Sequence, residues 1–232
     1  MKKRVHIIIT TYNRSEMLKR LLIQISNNNN PYDISISVYD DCSNDIHSSA
    51  NRQICHHLMC EYVRFDVNHG KKRYFELINY IFANISVADY YFMFPDDITI
   101  EPNIFTKSVN IFDSIQDILK VCMNLDVDGR LGKECWTAFT PIDMGDYYLS
   151  QWVDMCFIAN RRFFTEVGRI RVGNRWEHNE SLGSGVGAVI SRNLNIKNYG
   201  MYHLKEPLTY HGNHQSQMNP TNETNSNKLR TS

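Results

Sequence analysis

The chain has 232 residues, 25 of them basic and 25 acidic, so its formal net charge is zero. That length supports one large domain or two small ones with a substantial core, and the balanced charge gives no compositional sign of a nucleic-acid or membrane-surface protein. The basic start Met1-Lys2-Lys3-Arg4 is followed by an apolar run too short for a signal peptide's core. No stretch approaches the ~20 apolar residues of a membrane span, so a cytoplasmic chain without an integral membrane segment is expected.

Val5 to Ile9 is a β-branched run suited to a buried parallel strand. Ser15 is placed to cap a helix in which Met17, Leu18, Leu21, Leu22 and Ile25 recur at three and four residues; the Asn27–Asn30 tract and Pro31 end it. Ile34, Ile36 and Val38 alternate with serines as in a strand exposed on one side, and run into Asp40-Asp41. A short helix near His47 to Leu58 and a strand at Tyr62 to Phe65 follow. Then Tyr74, Phe75, Leu77, Ile78, Ile81, Phe82 and Ile85 keep one helical face apolar. Tyr90 to Phe94 is the next strand, and Asp96-Asp97 stand at its C-terminal mouth.

This β-α-β-α-β-α-β order predicts an α/β fold, a mostly parallel central sheet flanked by helices with ligands at the strands' carboxyl ends. Thr10–Arg14, Asp40–Ser43, Asn68–Gly70 and Asp96–Asp97 all fall at such ends. Beyond residue 100 a helix over about Asn103–Ile118 and a strand over Leu119–Leu125 are expected. An irregular stretch from Asp126 to Gln151 comes next, then a helix from Arg161 to Val167 closed by Gly168. A last helix near Ala188–Ile196 leads to a strand near Met201–Leu204. Residues 1–100 and 101–214 are read as two halves of one domain, and 215–232 as a polar, flexible tail.

Two adjacent carboxylates repel unless a cation, hydrogen bonds or solvent compensates them, and hard oxygen ligands suit Mg2+ or Mn2+. The six cysteines form no Cys-x-x-Cys pair, and Cys55-His56-His57 with Cys60 has no matching second pair, so zinc is not expected.

Four segments together resemble the GT-A glycosyltransferase superfamily, closest to family 2. Ile7–Arg14 is similar to its opening strand and TYNR turn, Val38–Ser43 to its DDxS strand end, Asn68–Gly70 to its NxG, and Phe94–Asp97 to the site of its DXD metal motif. Cys156–Gly168 resembles, less closely, the helix that flanks the acceptor site.

The resemblance implies a GT-A (Rossmann-like) fold with a smaller acceptor-side region, residues 1–100 being the nucleotide-sugar-binding half and 101–214 the acceptor-binding half. It also implies transfer of a sugar from a nucleotide-sugar, a UDP-sugar foremost, to a hydroxyl acceptor. It places Thr10, Thr11, Tyr12, Arg14, Asp41, Ser43 and Asn68 around the nucleotide, with Asp96 at the ribose or sugar-proximal phosphate. Asp97 and His211 would be ligands of Mn2+ or Mg2+, and Arg73 is either a phosphate contact or a surface cation. The acceptor is expected to be a saccharide, with lipid-linked sugar, protein, small molecule and a hydroxylated DNA base as alternatives. The oligomeric state is left open.

The family's inverting members carry a Glu-Asp pair where this chain has Ser184-Gly185-Val186-Gly187. A general base must then come from elsewhere, and Asp154 and Glu177 are the two candidates. A binding module that has lost catalysis is the rival reading. A sugar-phosphate nucleotidyltransferase would open on a Gly-rich loop, which Thr10–Arg14 is not.

Overall fold

The computed structural model describes residues 2–126, 140–171 and 185–211. The elements run in the order β1 (Arg4–Thr11), α1 (Ser15–Ser26), β2 (Asp33–Asp40), α2 (Asp45–His57), β3 (Glu61–Arg64), α3 (Gly70–Ala83), β4 (Tyr90–Pro95), β5 (Ile98–Ile100) and α4 (Ile104–Ser114). They continue with β6 (Lys120–Asn124), β7 (Ile142–Asp143), β8 (Tyr147–Ser150), β9 (Phe157–Ala159), α5 (Arg161–Val167), α6 (Val186–Ile196), β10 (Gly200–Leu204) and β11 (Thr209–His211).

The main sheet has the order β3-β2-β1-β4-β9-β6-β10-β8-β7. Its first four strands are parallel, β9 enters antiparallel between β4 and β6, and β10 is parallel to β6. This is the expected α/β architecture, with an antiparallel edge added by β7 and β8. Parallel strands need helical crossovers, so both faces are covered and the central strands are apolar throughout.

Alternation along each strand splits the core into two layers. Ile7, Ile9, Phe92 and Phe94 pack with α1 and α4 on one face, through Leu18, Leu22, Phe105 and Phe112. Ile8, Tyr91 and Met93 pack with α3, α5 and α6 on the other, through Leu77, Ile81, Phe163 and Ile190. Each such side chain contributes about 1.5–3 kcal/mol on burial, which makes the strand ends a rigid platform for the loops above them.

Several boundaries differ from the sequence reading for local reasons. Ser15 is the first residue of α1 rather than its cap, because Arg14 holds the cap position; the Ser15 hydroxyl is engaged by His47 Nδ1 at 2.9 Å. Ser37, expected on an exposed face, is buried and donates to Glu61 at 2.5 Å, since β3 covers it. The strands β5, β7, β8, β9 and β11 were not expected. The described cysteines Cys42, Cys55, Cys60, Cys122 and Cys156 are all free. Among the described residues no helix is long and apolar enough to cross a membrane.

Candidate functional site

The site is built where β1, β2, β4 and β6 end. After β1, Asn13 turns the chain with a positive φ of 52°, a conformation Asn tolerates better than most residues. Asn13 N–H donates to Ser43 Oγ at 2.8 Å and Asn13 Oδ1 accepts from Asn44 N–H at 2.9 Å. The turns after β1 and β2 are thereby stitched together. Ser43 is fully buried and shapes this turn from within, while Tyr12 is half-buried beside it.

The two carboxylates at the end of β2 have separate work. Asp40 is completely buried and accepts from Ser43 N–H at 2.7 Å, Asn51 Nδ2 at 2.8 Å and Tyr62 OH at 2.6 Å. Asp41 reaches across to the start of α3, where its oxygens accept from His69 N–H at 2.8 Å and Gly70 N–H at 3.0 Å. His69 Nδ1 at 2.6 Å and Asn68 Nδ2 at 3.3 Å complete the set. Asp41 and Asn68 thus brace the loop before α3, and any nucleotide contact by Asp41 would be shared with that brace. Arg73, one turn into α3, is exposed and forked onto Glu76 at 3.0 and 2.6 Å.

Asp96 and Asp97 form the turn between β4 and β5, and both are buried, 3% and 6% exposed. Thr11 Oγ1 donates to Asp96 Oδ2 at 2.7 Å. Arg14 Nη1 lies 3.3 Å from Asp96 Oδ1 and 2.8 Å from Asp97 Oδ2. Burial and the neighbouring Asp97 charge raise the Asp96 pKa, against Arg14 and Thr11, which favour its charged form. Thr10 Oγ1 meets Tyr74 OH at 3.3 Å. Burial raises that phenol's pKa, and the charges of Asp41, Asp154 and Asp96 add to it, so these carboxylates share one neighbourhood.

The last described strand closes over the pair. β11 runs antiparallel to β5 with His211 opposite Ile98, next to Asp97. His211 Nδ1 is 3.4 Å from Asp97 Oδ1, and His211 Nε2 is 3.4 Å from Asp126 Oδ2. Burial lowers the imidazole's affinity for a proton, but the two carboxylates outweigh it and push its pKa up to about 10. Asp126, just past β6, was missed at the sequence level. Its signal was there, since it ends an apolar strand as Asp40 and Asp96 do.

The fit to a divalent cation can be judged from these atoms. His211 Nδ1 is buried and, among the described residues, makes no hydrogen bond, yet it faces a carboxylate oxygen at 3.4 Å. Adjacent ligands of an octahedral ion with ~2.1 Å bonds stand about 3 Å apart, so only a small closure is needed. Among the described residues no group of three or more His, Cys, Asp or Glu side chains is placed to hold a metal ion. Mg2+ and Mn2+ keep waters and take substrate phosphates alongside one or two protein ligands, so a pair such as Asp97 and His211 is within their chemistry. Asp97 and His211 therefore fit such an ion as a partial protein shell.

A family model described as glycosyl transferase family 2 matches residues 6–198. The chain belongs to glycosyl transferase family 2. No curated protein sequence matches it significantly. Among solved structures, TarS of S. aureus is similar with a TM-score of 0.64 at 13% identity, over 90% of this chain and 36% of that one. The mannosyltransferase PcManGT from Pyrobaculum calidifontis, in complex with GDP-Man and Mn2+, gives 0.58 at 14%, over 89% and 55%. GalNAc-T7 with UDP, GalNAc and Mn2+ gives 0.61 at 14%, over 88% and 42%. At these identities the likeness is one of fold, the GT-A fold, and the chain spans only about a third to just over half of those chains' length.

The opening of α6 carries Gly185, Val186 and Gly187, with no acid in its first turn. A Cβ at Gly187 would stand 2.8 Å from the Val153 carbonyl oxygen and 3.6 Å from Asp154 Oδ1. The glycine thus lets α6 start directly against Val153-Asp154, and an Asp154 oxygen comes to the helix opening from the neighbouring loop. Asp154 N–H donates to Asn124 Oδ1 at 2.9 Å, which anchors that loop to β6. Glu177, the other base candidate, lies outside the described residues, as does the tail.

Proposed function

We propose that this family 2 protein is a metal-dependent glycosyltransferase that moves a sugar from a nucleotide-sugar donor, a UDP-sugar, to a hydroxyl acceptor. The observation that carries the reading is the convergence of Thr11, Arg14, Asp96, Asp97 and His211 at one end of the sheet. The nucleotides and Mn2+ held by proteins of the same fold support it.

Asp97 and His211 would hold Mn2+ or Mg2+, which when bound neutralises charge growing on the departing diphosphate, an effect worth several kcal/mol. Thr11 and Arg14 fix the two carboxylates so that Asp96 faces the ribose or the sugar-proximal phosphate. Thr10 and Tyr12 line the same mouth. Asp154 takes the proton of the acceptor hydroxyl as its oxygen bonds to the anomeric carbon and the bond to the diphosphate oxygen breaks. The glycine at 187 makes room for the Val153 carbonyl, which lets α6 begin beside that carboxylate.

The test is UDP release from a panel of UDP-sugars with Mn2+, for the wild type and Asp97→Ala. A loss of about 10²-fold or more is expected in the variant, and unchanged turnover would sink the metal role. The acid-free opening of α6 favours a second reading, a nucleotide-sugar-binding module without catalysis. Calorimetric donor binding with no donor consumed under any acceptor would select it.

A further inference from the structure

His211 lies between two carboxylates of different origin. Asp97 comes from the β4–β5 turn and Asp126 from the end of β6, each 3.4 Å from a different ring nitrogen. Asp126 is 6% exposed, and its second oxygen, Oδ1, is buried with no hydrogen-bond partner among the described residues. A carboxylate at that depth costs several kcal/mol unless its surroundings compensate.

The fold does not need this side chain to hold β11 in place. Leu208 N–H and Thr209 N–H both donate to the Leu125 carbonyl, at 2.8 and 3.2 Å, and β11 pairs with β5 over three residues. Other groups near Asp126 do not neutralise it. Cys156 and His203 both feel its charge, but burial keeps the Cys156 thiol protonated and disfavours a charge on His203. The only cationic group within ion-pair distance of Asp126 among the described residues is His211.

We propose that Asp126 is a positioning residue for a divalent-cation site, accepting from His211 Nε2–H so that the ring is held with Nδ1 facing Asp97, where its lone pair would reach an ion bound between them in place of the proton. The inference rests on the metal-dependent reading above and adds a residue to it. A ring held by one nitrogen has its tautomer and its plane set, which raises the basicity of the other and spares the cost of ordering it when the ion arrives. Asp126 serves this purpose from the end of β6, an element separate from the β4–β5 turn that carries Asp97.

The experiment is Mn2+ titration followed by electron paramagnetic resonance, with UDP present, on the full chain. Pulsed measurements read the imidazole nitrogen coupling of the bound ion. Asp126→Asn, which keeps the size of the side chain, and Asp126→Ala should bind Mn2+ about 10- to 100-fold more weakly. The nitrogen coupling should weaken or vanish in Asp126→Ala at saturating Mn2+, and Asp126→Glu should recover part of the affinity. Wild-type affinity and coupling in Asp126→Ala, while Asp97→Ala loses Mn2+, would overturn the role of Asp126 and leave the metal site standing. If the wild type takes up no Mn2+, or Asp97→Ala binds it as the wild type does, the metal-dependent reading fails and this inference with it. Metal-free melting curves identify any variant that fails to fold, and Asp126→Asn then carries the comparison.

Discussion

Arg14 Nη1 stands 2.8 Å from Asp97 Oδ2, so the exit of β1 is closed onto the exit of β4 by a charged bond between side chains no more than 10% exposed. The same nitrogen is 3.3 Å from Asp96 Oδ1. The chain's own cation therefore compensates the adjacent acids before any ligand binds. Removing one partner of a buried pair costs about 3–5 kcal/mol, because the charge left behind is unpaired. Arg14→Ala should accordingly melt well below the wild type. Added Mn2+ should raise its melting temperature by more than it raises the wild type's, since the ion replaces part of the lost charge. Equal metal-induced shifts in the two proteins would contradict this.

Asp40 illustrates a strand-end acid with a structural task. With Ser43 N–H, Asn51 and Tyr62 all donating to a carboxylate that is 0% exposed, Asp40→Ala leaves several buried donors without an acceptor. Each unsatisfied group costs about 1–3 kcal/mol. Urea unfolding should show a loss of several kcal/mol for Asp40→Ala, whereas the Mn2+ affinity of the folded fraction should stay near the wild type's. A metal-binding defect without a stability loss would reverse the assignment of the two residues.

These contrasts show what was legible in the chain and what was not. Val5–Ile9, Tyr90–Phe94 and the apolar face of α3 announce themselves by unbroken or periodic hydrophobicity, and the polar residues at their ends mark the donor side of the sheet. Which acid of Asp40-Asp41 takes the structural role cannot be read locally, because it is decided by Asn51 and Tyr62 on other elements. The strands β5 and β11 have three residues each, too few to show alternation, and they exist only because they pair across more than a hundred residues. That pairing carries His211 to Asp97, so the proximity of those two residues is tertiary information. Asp126 was within reach of the strand-end rule, yet the irregular stretch that follows it drew it into a loop.

Gly187 tests the acceptor side. Its lack of a Cβ is what lets α6 lie against the Val153 carbonyl, which a methyl group would approach to 2.8 Å. Ser191 ties the same contact from within the helix, accepting from Val153 N–H at 2.9 Å and donating to the Gly187 carbonyl at 2.7 Å. Gly187→Ala must therefore push α6 away from Val153-Asp154, at a cost of about 1–3 kcal/mol. With Asp154 as the base, the variant should lose acceptor-dependent transfer more than donor hydrolysis, as a fall in kcat at nearly constant KM for the donor. Equal losses in both reactions would remove Asp154 from the proposed mechanism.

His6 provides a pH dependence remote from the carboxylate cluster. The ring is 2% exposed on β1, with Nδ1 2.8 Å from Ser35 Oγ and an edge-on contact with Tyr91. Burial lowers its pKa below the ordinary 6.5, with the Glu61 charge opposing. The unfolded chain therefore takes up this proton at a higher pH than the folded one. The stability contributed by the neutral ring is fully present above the unfolded value and is lost as pH falls through the folded one. One such group gives a slope of at most about 1.4 kcal/mol per pH unit. His6→Asn retains a polar partner for Ser35 and cannot titrate. Urea midpoints compared between about pH 7.5 and 5.5 should fall further for the wild type than for His6→Asn. Parallel losses would show that the acid sensitivity of the fold lies in other groups, such as His203, whose pKa burial also lowers.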